Sequence, residues 1–338
     1  MKTFLTLLFS IFTTLAFSQK VFTVDNFSNE YYGEVHITSS DDVYNKGWIA
    51  IYERKTKQRV IRVFSDEIVL ELHANKVMAN IKSLGYGEQS LLMYDDFNFD
   101  GIKDFAISDG QNSCYHGPSF KIYLATKNEF IYNNDFTRLA QEYCGMFDID
   151  AESKKIYTMT KSGCCWHEYS EFIVVDNKPK AIKVVTDEPD RIFSLTTEEV
   201  WNGEKMVKNT IRTLDLNQEG LEVFLSFNLP KNNKRVMLIN VDNSALYYVL
   251  AKKDSTIEFA YPIKSDYKSP DFYFDRTTTN LSVTFKNNDA TYKIYELQNE
   301  IGIKITFGGK TSFLIGDITT KKGSLDWLRK VMLDNVHY

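Results

Sequence analysis

Asp96-Phe97-Asn98-Phe99-Asp100-Gly101-Ile102-Lys103-Asp104 is the stretch on which the fold is decided, with Ser90-Leu91-Leu92-Met93-Tyr94 before it and Phe105-Ala106-Ile107-Ser108 after it. Oxygen-bearing side chains fall at the alternate positions 96, 98 and 100, a glycine follows at once, and Asp104 comes three residues later. A hard cation such as calcium takes six to eight oxygen ligands at about 2.3–2.6 Å, and a short loop folded on itself supplies them. The spacing assigns Asp96, Asn98 and Asp100 as side-chain ligands and the Ile102 carbonyl as a backbone ligand. Asp104 binds directly or through water, and Gly101 permits the chain reversal. The twelfth position counted from Asp96 is Ile107, where the helical calcium motif needs a bidentate Glu. Both flanks are apolar runs of strand length, so the unit reads as strand–loop–strand and not helix–loop–helix. The competing reading is an Asx-rich turn in water, since Asp, Asn and Gly also dominate ordinary turns.

The surrounding chain is 338 residues long, enough for two domains, with 43% apolar and 14% aromatic residues. That aromatic and β-branched content favours sheets. Lys2, an apolar run from Phe4 to Phe17, and Ala16-Phe17-Ser18 before Gln19 read as an export signal cleaved after Ser18. The run is too short to span a bilayer as a helix, and no later stretch reaches the necessary length. Loss of Lys2 with the signal shifts the net charge from −5 to −6. A mildly acidic chain has no electrostatic footprint for nucleic acid and favours a basic protein partner.

Short extended segments with polar turns fill residues 19–187. They include Gly47–Tyr52, Val60–Phe64, Ile68–His73, Val77–Ile81, Ser119–Leu124, Ile156–Thr160, Glu171–Val175 and Ala181–Val185, with a helical turn at Phe136–Tyr143. Charge and proline at Thr186-Asp187-Glu188-Pro189-Asp190 place a domain boundary there. Residues 188–338 then form a second β-domain with strands from Val223–Leu229 to Ser312–Ile315. A C-terminal helix closes it, capped by Ser324 and carrying the stripe Leu325, Leu328, Val331 and Met332. The expected fold class is mostly β: two sandwich- or barrel-like domains, a calcium loop between strands, and a terminal helix. Gly308-Gly309-Lys310-Thr311 lacks the spacing and the helix of a phosphate loop and reads as a hairpin turn.

All four cysteines, Cys114, Cys144, Cys164 and Cys165, fall in the first half. An even count in an exported chain predicts disulfides. A bridge between the neighbours Cys164 and Cys165 strains the backbone, so Cys114 and Cys144 are each expected to bond one of them. The rival reading is zinc, with His116 and His167 beside the cysteines. Signatures of catalysis are missing: there is no Gly-x-Ser-x-Gly elbow and no His-Glu-x-x-His helix. In Thr160-Lys161-Ser162-Gly163-Cys164-Cys165-Trp166-His167-Glu168-Tyr169, a strand pattern is broken by small, cysteine, indole and imidazole side chains. This is what a stapled, protruding binding loop looks like; a Trp packed on a disulfide inside a sandwich has the same composition.

Residues from about Ser90 to Val185 resemble a family of exported bacterial proteins with a calcium loop in a β-fold, some of them immunity proteins against lysozyme-type effectors. The resemblance lies in Leu92–Phe105, in Gly117-Pro118-Ser119-Phe120-Lys121-Ile122-Tyr123 and in the Ser162-Gly163 turn. That family is similar to the periplasmic inhibitors of invertebrate-type lysozyme, whose inhibitory loop carries Ser-Gly-x-x-Tyr. Here Trp166 stands where the tyrosine would be. The resemblance implies a non-catalytic inhibitor of a lysozyme-like hydrolase, with Ser162, Gly163, Trp166 and His167 meeting the partner and calcium as a structural ion. The alternatives are a carbohydrate- or surface-binding module, marked by exposed aromatics in a shallow platform, and an unrecognised glycan hydrolase.

Overall fold

The computed structural model describes residues 20–38, 42–82, 89–262, 271–276 and 280–338. The expected export signal lies outside them. Two compact units emerge: the chain up to Thr186 with Glu198–Lys208, and Asp187–Thr197 with Asn209–Tyr338. The fold is mostly β, and no helix among the described residues is long and apolar enough to cross a membrane.

In the first unit, β1 (Lys20–Val24), β2 (Tyr31–Ile37), β3 (Asn45–Glu53) and β4 (Arg59–Ile68) form one antiparallel sheet. A second sheet holds β5 (Leu92–Asp95), β6 (Asp104–Gly110), β7 (Ser119–Ala125) and β8 (Phe130–Tyr132). This second sheet is covered on both faces. Leu92, Phe105 and Ile107 point into a core shared with Val35, Ile49 and Ile61 of the first sheet. The intervening Met93 and Ala106, with Phe120 and Ile122, face helix α1 (Asn134–Glu142) and the strands beyond it. A strand buried on both sides needs apolar residues at consecutive positions, which is why the flanks of the acidic loop read as unbroken apolar runs. Asn133 caps α1 by accepting the Phe136 N–H at 3.0 Å.

Then come β9 (Asp148–Asp150), β10 (Lys155–Ser162), β11 (Trp166–Val175), β12 (Lys178–Asp190), β13 (Phe193–Trp201) and β14 (Met206–Thr213), in that sheet order. The boundary expected over Thr186–Asp190 is not a linker: β12 runs straight through it. The two units divide at Thr186 and Asp187, inside that strand.

The second unit packs β15 (Leu221–Leu229), β16 (Lys234–Val241), β17 (Ala245–Lys252) and β18 (Ile257–Tyr261) against β19 (Phe272–Asp275), β20 (Leu281–Asn287), β21 (Ala290–Glu296), β22 (Ile301–Phe307) and β23 (Lys310–Ile315). β24 (Asp317–Gly323) joins the first of these sheets, and β25 (Val336–His337) pairs in parallel with β19. Phe227, Leu238, Tyr248, Val283, Phe285 and Ile303 fill the space between, a sandwich core. Gly308 and Gly309 form the β22–β23 hairpin turn.

Three expectations fail locally. Ile68–His73 and Val77–Ile81 are not strands beyond the Ile68 end of β4. The Asn26 side chain takes up both backbone groups of Ala79, at 3.0 and 3.3 Å, in place of a ladder, and Ala74, Asn75 and Asn80 adopt positive φ. The C-terminal helix shrinks to one 3₁₀ stretch, Leu325–Arg329. Leu325 and Leu328 are buried as the stripe requires, but Met332 is 74% exposed. The tail is drawn away by Asn335, whose side-chain amide bonds the Leu246 N–H (2.8 Å) and carbonyl (3.0 Å) as a strand neighbour would. Those side-chain bonds to a distant strand stand where a second helical turn is expected.

An oxygen-rich loop and a disulfide-closed hairpin

The stretch 96–104 joins β5 to β6, with Asp95 paired to Asp104 across the ladder. Phe97 is buried, edge-on to Phe147 at 5.5 Å, which anchors the start of the loop in the core. Phe99 at φ 62° and Gly101 at φ 90° turn the chain back on itself, and the second of these conformations favours glycine. Asp96 accepts the N–H groups of Asp100 (3.1 Å) and Gly101 (2.8 Å), while Asp100 accepts that of Ile102 (2.8 Å). The side chain of the buried Asn98 lies 3.0 Å from Asp100 Oδ2, and its Oδ1 accepts the Asp100 N–H at 3.3 Å. The side chains at 96, 98 and 100 therefore converge. Lys103 turns outward, 3.8 Å from Asp95.

Two further residues shape the loop. Asn177, in the β11–β12 turn, puts its Oδ1 3.0 Å from Asn98 Nδ2, and its own carbonyl accepts from the capping residue Asn133 at 3.2 Å. Nothing in the local motif names Asn177; the only sequence signal is the turn-forming pair Asp176-Asn177. Asp104 sits apart from the other acids. Fully buried, it accepts the Phe97 N–H at 2.8 Å and the Ala125 N–H at 2.7 Å, clamping the loop to the end of β7. Burial pushes its carboxyl up to about 7, against the pull of those two amides, with Asp100 and Asp96 adding to the rise.

Among the described residues no three acidic, imidazole or thiolate side chains form a ready metal cage. The donors that do converge are hard oxygens: two carboxylates and a carboxamide, with a second carboxamide from Asn177 within reach. That chemistry suits calcium and not a soft metal.

At the β10–β11 hairpin, Ser162 pairs with Trp166 and Lys161 with His167, leaving Gly163-Cys164-Cys165 as the tip. Cys164 and Cys165 are bonded to each other, and Cys114 to Cys144 across a Cα–Cα distance of 4.9 Å. The expected cross-pairing is therefore wrong. Cys144 donates its N–H to the Met159 carbonyl, which holds it beside β10 short of the tip and facing Cys114. The neighbouring cysteines meanwhile occupy a turn already bent by Gly163 at φ 62°. With both bridges made, no cysteine among the described residues remains for the zinc alternative.

Sequence reasoning missed Tyr115. It lies on the 3₁₀ stretch Cys114–His116, is 59% exposed, and donates its hydroxyl to the Gly163 carbonyl at 3.3 Å. The Lys161 ammonium sits 5.0 Å from its ring centroid. Ser162 is exposed and Trp166 and His167 are half-buried at this braced tip. Alternation places Lys161 and His167 on the same face as Tyr157, Met159 and Tyr169, which with Lys183 and Val185 line a hollow of about 420 Å³.

The fold and these features define a two-unit, almost wholly antiparallel β-protein with an oxygen-rich interstrand loop and a disulfide-closed hairpin. No family model and no curated protein matches the chain. Among solved structures, one described as a Xanthomonas type IV secretion system related protein aligns at 16% identity over 55% of this chain and 92% of that one, with a TM-score of 0.43. A putative 6-phosphogluconolactonase from Bacteroides uniformis aligns at 10% identity over 89% and 84% of the two chains, with a TM-score of 0.23. At these scores neither likeness defines the fold or the function.

Proposed function

We propose that this is an exported, non-catalytic binding protein that inhibits, or gives immunity against, a lysozyme-like peptidoglycan hydrolase. The observation that carries the reading is the hairpin tip, closed by its own disulfide and tied through Tyr115 to a segment stapled by the other. A loop fixed in advance loses little conformational entropy on docking, so more of its contact energy appears as affinity. Trp166 supplies the large apolar anchor with Ser162 across from it on one face of the hairpin, His167 is a polar contact on the opposite face, and Gly163 allows the sharp turn. A tip of this shape enters an enzyme cleft and excludes substrate by occupying its place. The hollow bounded by Tyr157, Met159 and Tyr169 receives an apolar side chain from the same partner.

Calcium is the structural ion of this reading. Asp96, Asn98, Asp100 and the Ile102 carbonyl hold it, and the ion offsets the repulsion between the two carboxylates when bound. Asp104 keeps the loop in register from beneath.

Incubation of the purified protein with lysozymes of several classes tests the function. The expected result is stoichiometric loss of muramidase activity for at least one class, and restoration of that activity with Trp166→Ala. Full activity of every lysozyme at micromolar excess of inhibitor overturns the proposal. Calorimetric titration with calcium tests the ion separately, and heat absent from the wild type as well as from Asp96→Ala removes calcium from the account.

A further inference from the structure

The outward face of the first sheet carries a feature independent of the loop and of the hairpin. Strand register places Val21, His36, Trp48 and Phe64 in one row across β1, β2, β3 and β4. His36 stacks on Trp48 with ring centroids 3.4 Å apart and planes 16° from parallel. The Arg62 guanidinium lies 4.7 Å from the Phe64 centroid and 5.8 Å from that of Trp48, and so spaces the two rings. Phe64 is 61% exposed, so part of its ring stays open to solvent beside that guanidinium.

This row ends at a groove of about 620 Å³. Its walls include Trp48 and Phe64 on one side, Lys46 and Asp66 at the mouth, and Asp109 and Asn112 from β6 and the loop after it. Asp109 is held in place, accepting from Ser119 Oγ (2.5 Å) and Gln141 Nε2 (2.7 Å), while Lys46 and Asp66 (2.9 Å) and Glu67 and His116 (2.9 Å) form ion pairs at the solvent-exposed mouth. Each carboxylate oxygen keeps a further lone pair for a hydroxyl donor.

We propose that this groove binds a neutral oligosaccharide. A pyranose ring has one apolar C–H face and a rim of hydroxyls. The first matches an exposed aromatic ring beside a half-buried indole, and the second matches carboxylates, a carboxamide and an ammonium. Asp66, Glu67 and Asp109 outnumber Lys46 and the Arg62 between the rings, so the site keeps a net negative charge that disfavours phosphate, sulfate and uronate ligands and favours an uncharged sugar. The site lies outside the inhibitor reading and stands whether or not a hydrolase is bound.

Chitohexaose, cellohexaose and a heparin-derived hexasaccharide, each titrated into the full chain and followed by amide and indole NMR shifts, test the proposal. Saturable binding of at least one neutral hexasaccharide is expected, with shifts at residues 46–48, 64–67 and 109–112 and none from heparin. Phe64→Ala, at an exposed position that leaves the core intact, weakens binding at least about tenfold, while Phe64→Trp retains it. No binding of either neutral sugar at millimolar concentration, equal affinity in Phe64→Ala, shifts confined to another face, or a preference for heparin each overturns it.

Discussion

Asp104 separates bracing from ligation in the acidic loop. Asp104→Ala leaves the Phe97 and Ala125 N–H groups without a partner in a fully buried place. Each orphaned amide costs about 1–3 kcal/mol. The burial that pushes the carboxyl up to about 7 works against the clamp, so the net loss falls toward the lower part of the summed range, about 2–3 kcal/mol. For a unit of roughly 200 residues that is a fall of about 4–12 °C in melting temperature. Asp104→Asn keeps one acceptor and loses about half as much. The assay is a thermal melt of the first unit in chelator and again in calcium. Asp104→Ala melts low in both, because the amides are orphaned with or without the ion. Asp96→Ala loses only exposed-loop hydrogen bonds and in chelator falls by under about 1 kcal/mol, its larger effect appearing only in calcium. A wild-type melting temperature for Asp104→Ala in chelator refutes the clamp.

The remaining outcomes concern the bridges and the tail. Serine at both Cys114 and Cys144 opens a 30-residue separation and lowers stability by about 3–4 kcal/mol in a denaturant titration. Serine at Cys164 and Cys165 leaves the midpoint unchanged, since a bridge between neighbours constrains almost no unfolded chain. Peptide mapping of the oxidised protein then recovers Cys114 linked to Cys144, and a Cys114–Cys164 or Cys114–Cys165 peptide rejects the pairing. In the second unit Asn335→Ala removes bonds to both backbone groups of Leu246 and one to Asp271, for about 2–4 kcal/mol in urea unfolding. Asn335→Asp is no better, because it gives up both donors and sets a carboxylate beside Asp271.

The parts of this fold that were legible are those where one residue property fixes the outcome. Unbroken apolar runs on either side of the acidic loop mark the strands that flank it, which the structure buries on both faces, and Asn287-Asn288-Asp289 reads as a hairpin turn, with Asn288 at positive φ between β20 and β21. β13 and β14 were not legible, and of β12 only Ala181–Val185 was. Their residues are mostly half-buried or exposed, so no apolar alternation distinguishes them from loop, and the charge at Asp187-Glu188 read as a break. The segment after Ile68 failed in the opposite sense. Val77 and Ala79 are buried like strand residues, yet both backbone groups of Ala79 are taken up by a side chain 53 positions away. At the candidate site, local spacing announced Asp96, Asn98 and Asp100, whereas Asn177 and Tyr115 arrive from other elements and carry no local signal. The disulfide pairing is likewise set by tertiary placement and not by spacing: Cys144 is held beside β10 facing Cys114, which leaves Cys164 and Cys165 to each other at the hairpin tip.

Burial and covalent closure divide the first unit between them. The ladder from Leu92 to Ile122 is anchored by core packing on two faces, so it holds the acidic loop through buried groups such as Phe97 and Asp104. The hairpin beyond Thr158 has no such support: Ser162 to Cys165 are exposed, and their backbone gains nothing from a core. Its order comes instead from the Tyr115 hydroxyl on Gly163, the Cys144 amide on Met159 and two disulfides. A surface that must be both rigid and unburied can be built only from such local ties, because hydrophobic burial would hide the side chains meant to be presented. Phe64 is held differently: its ring lies on the outward face of a sheet whose inner face already supplies the core, and its contact is the Arg62 guanidinium at 4.7 Å.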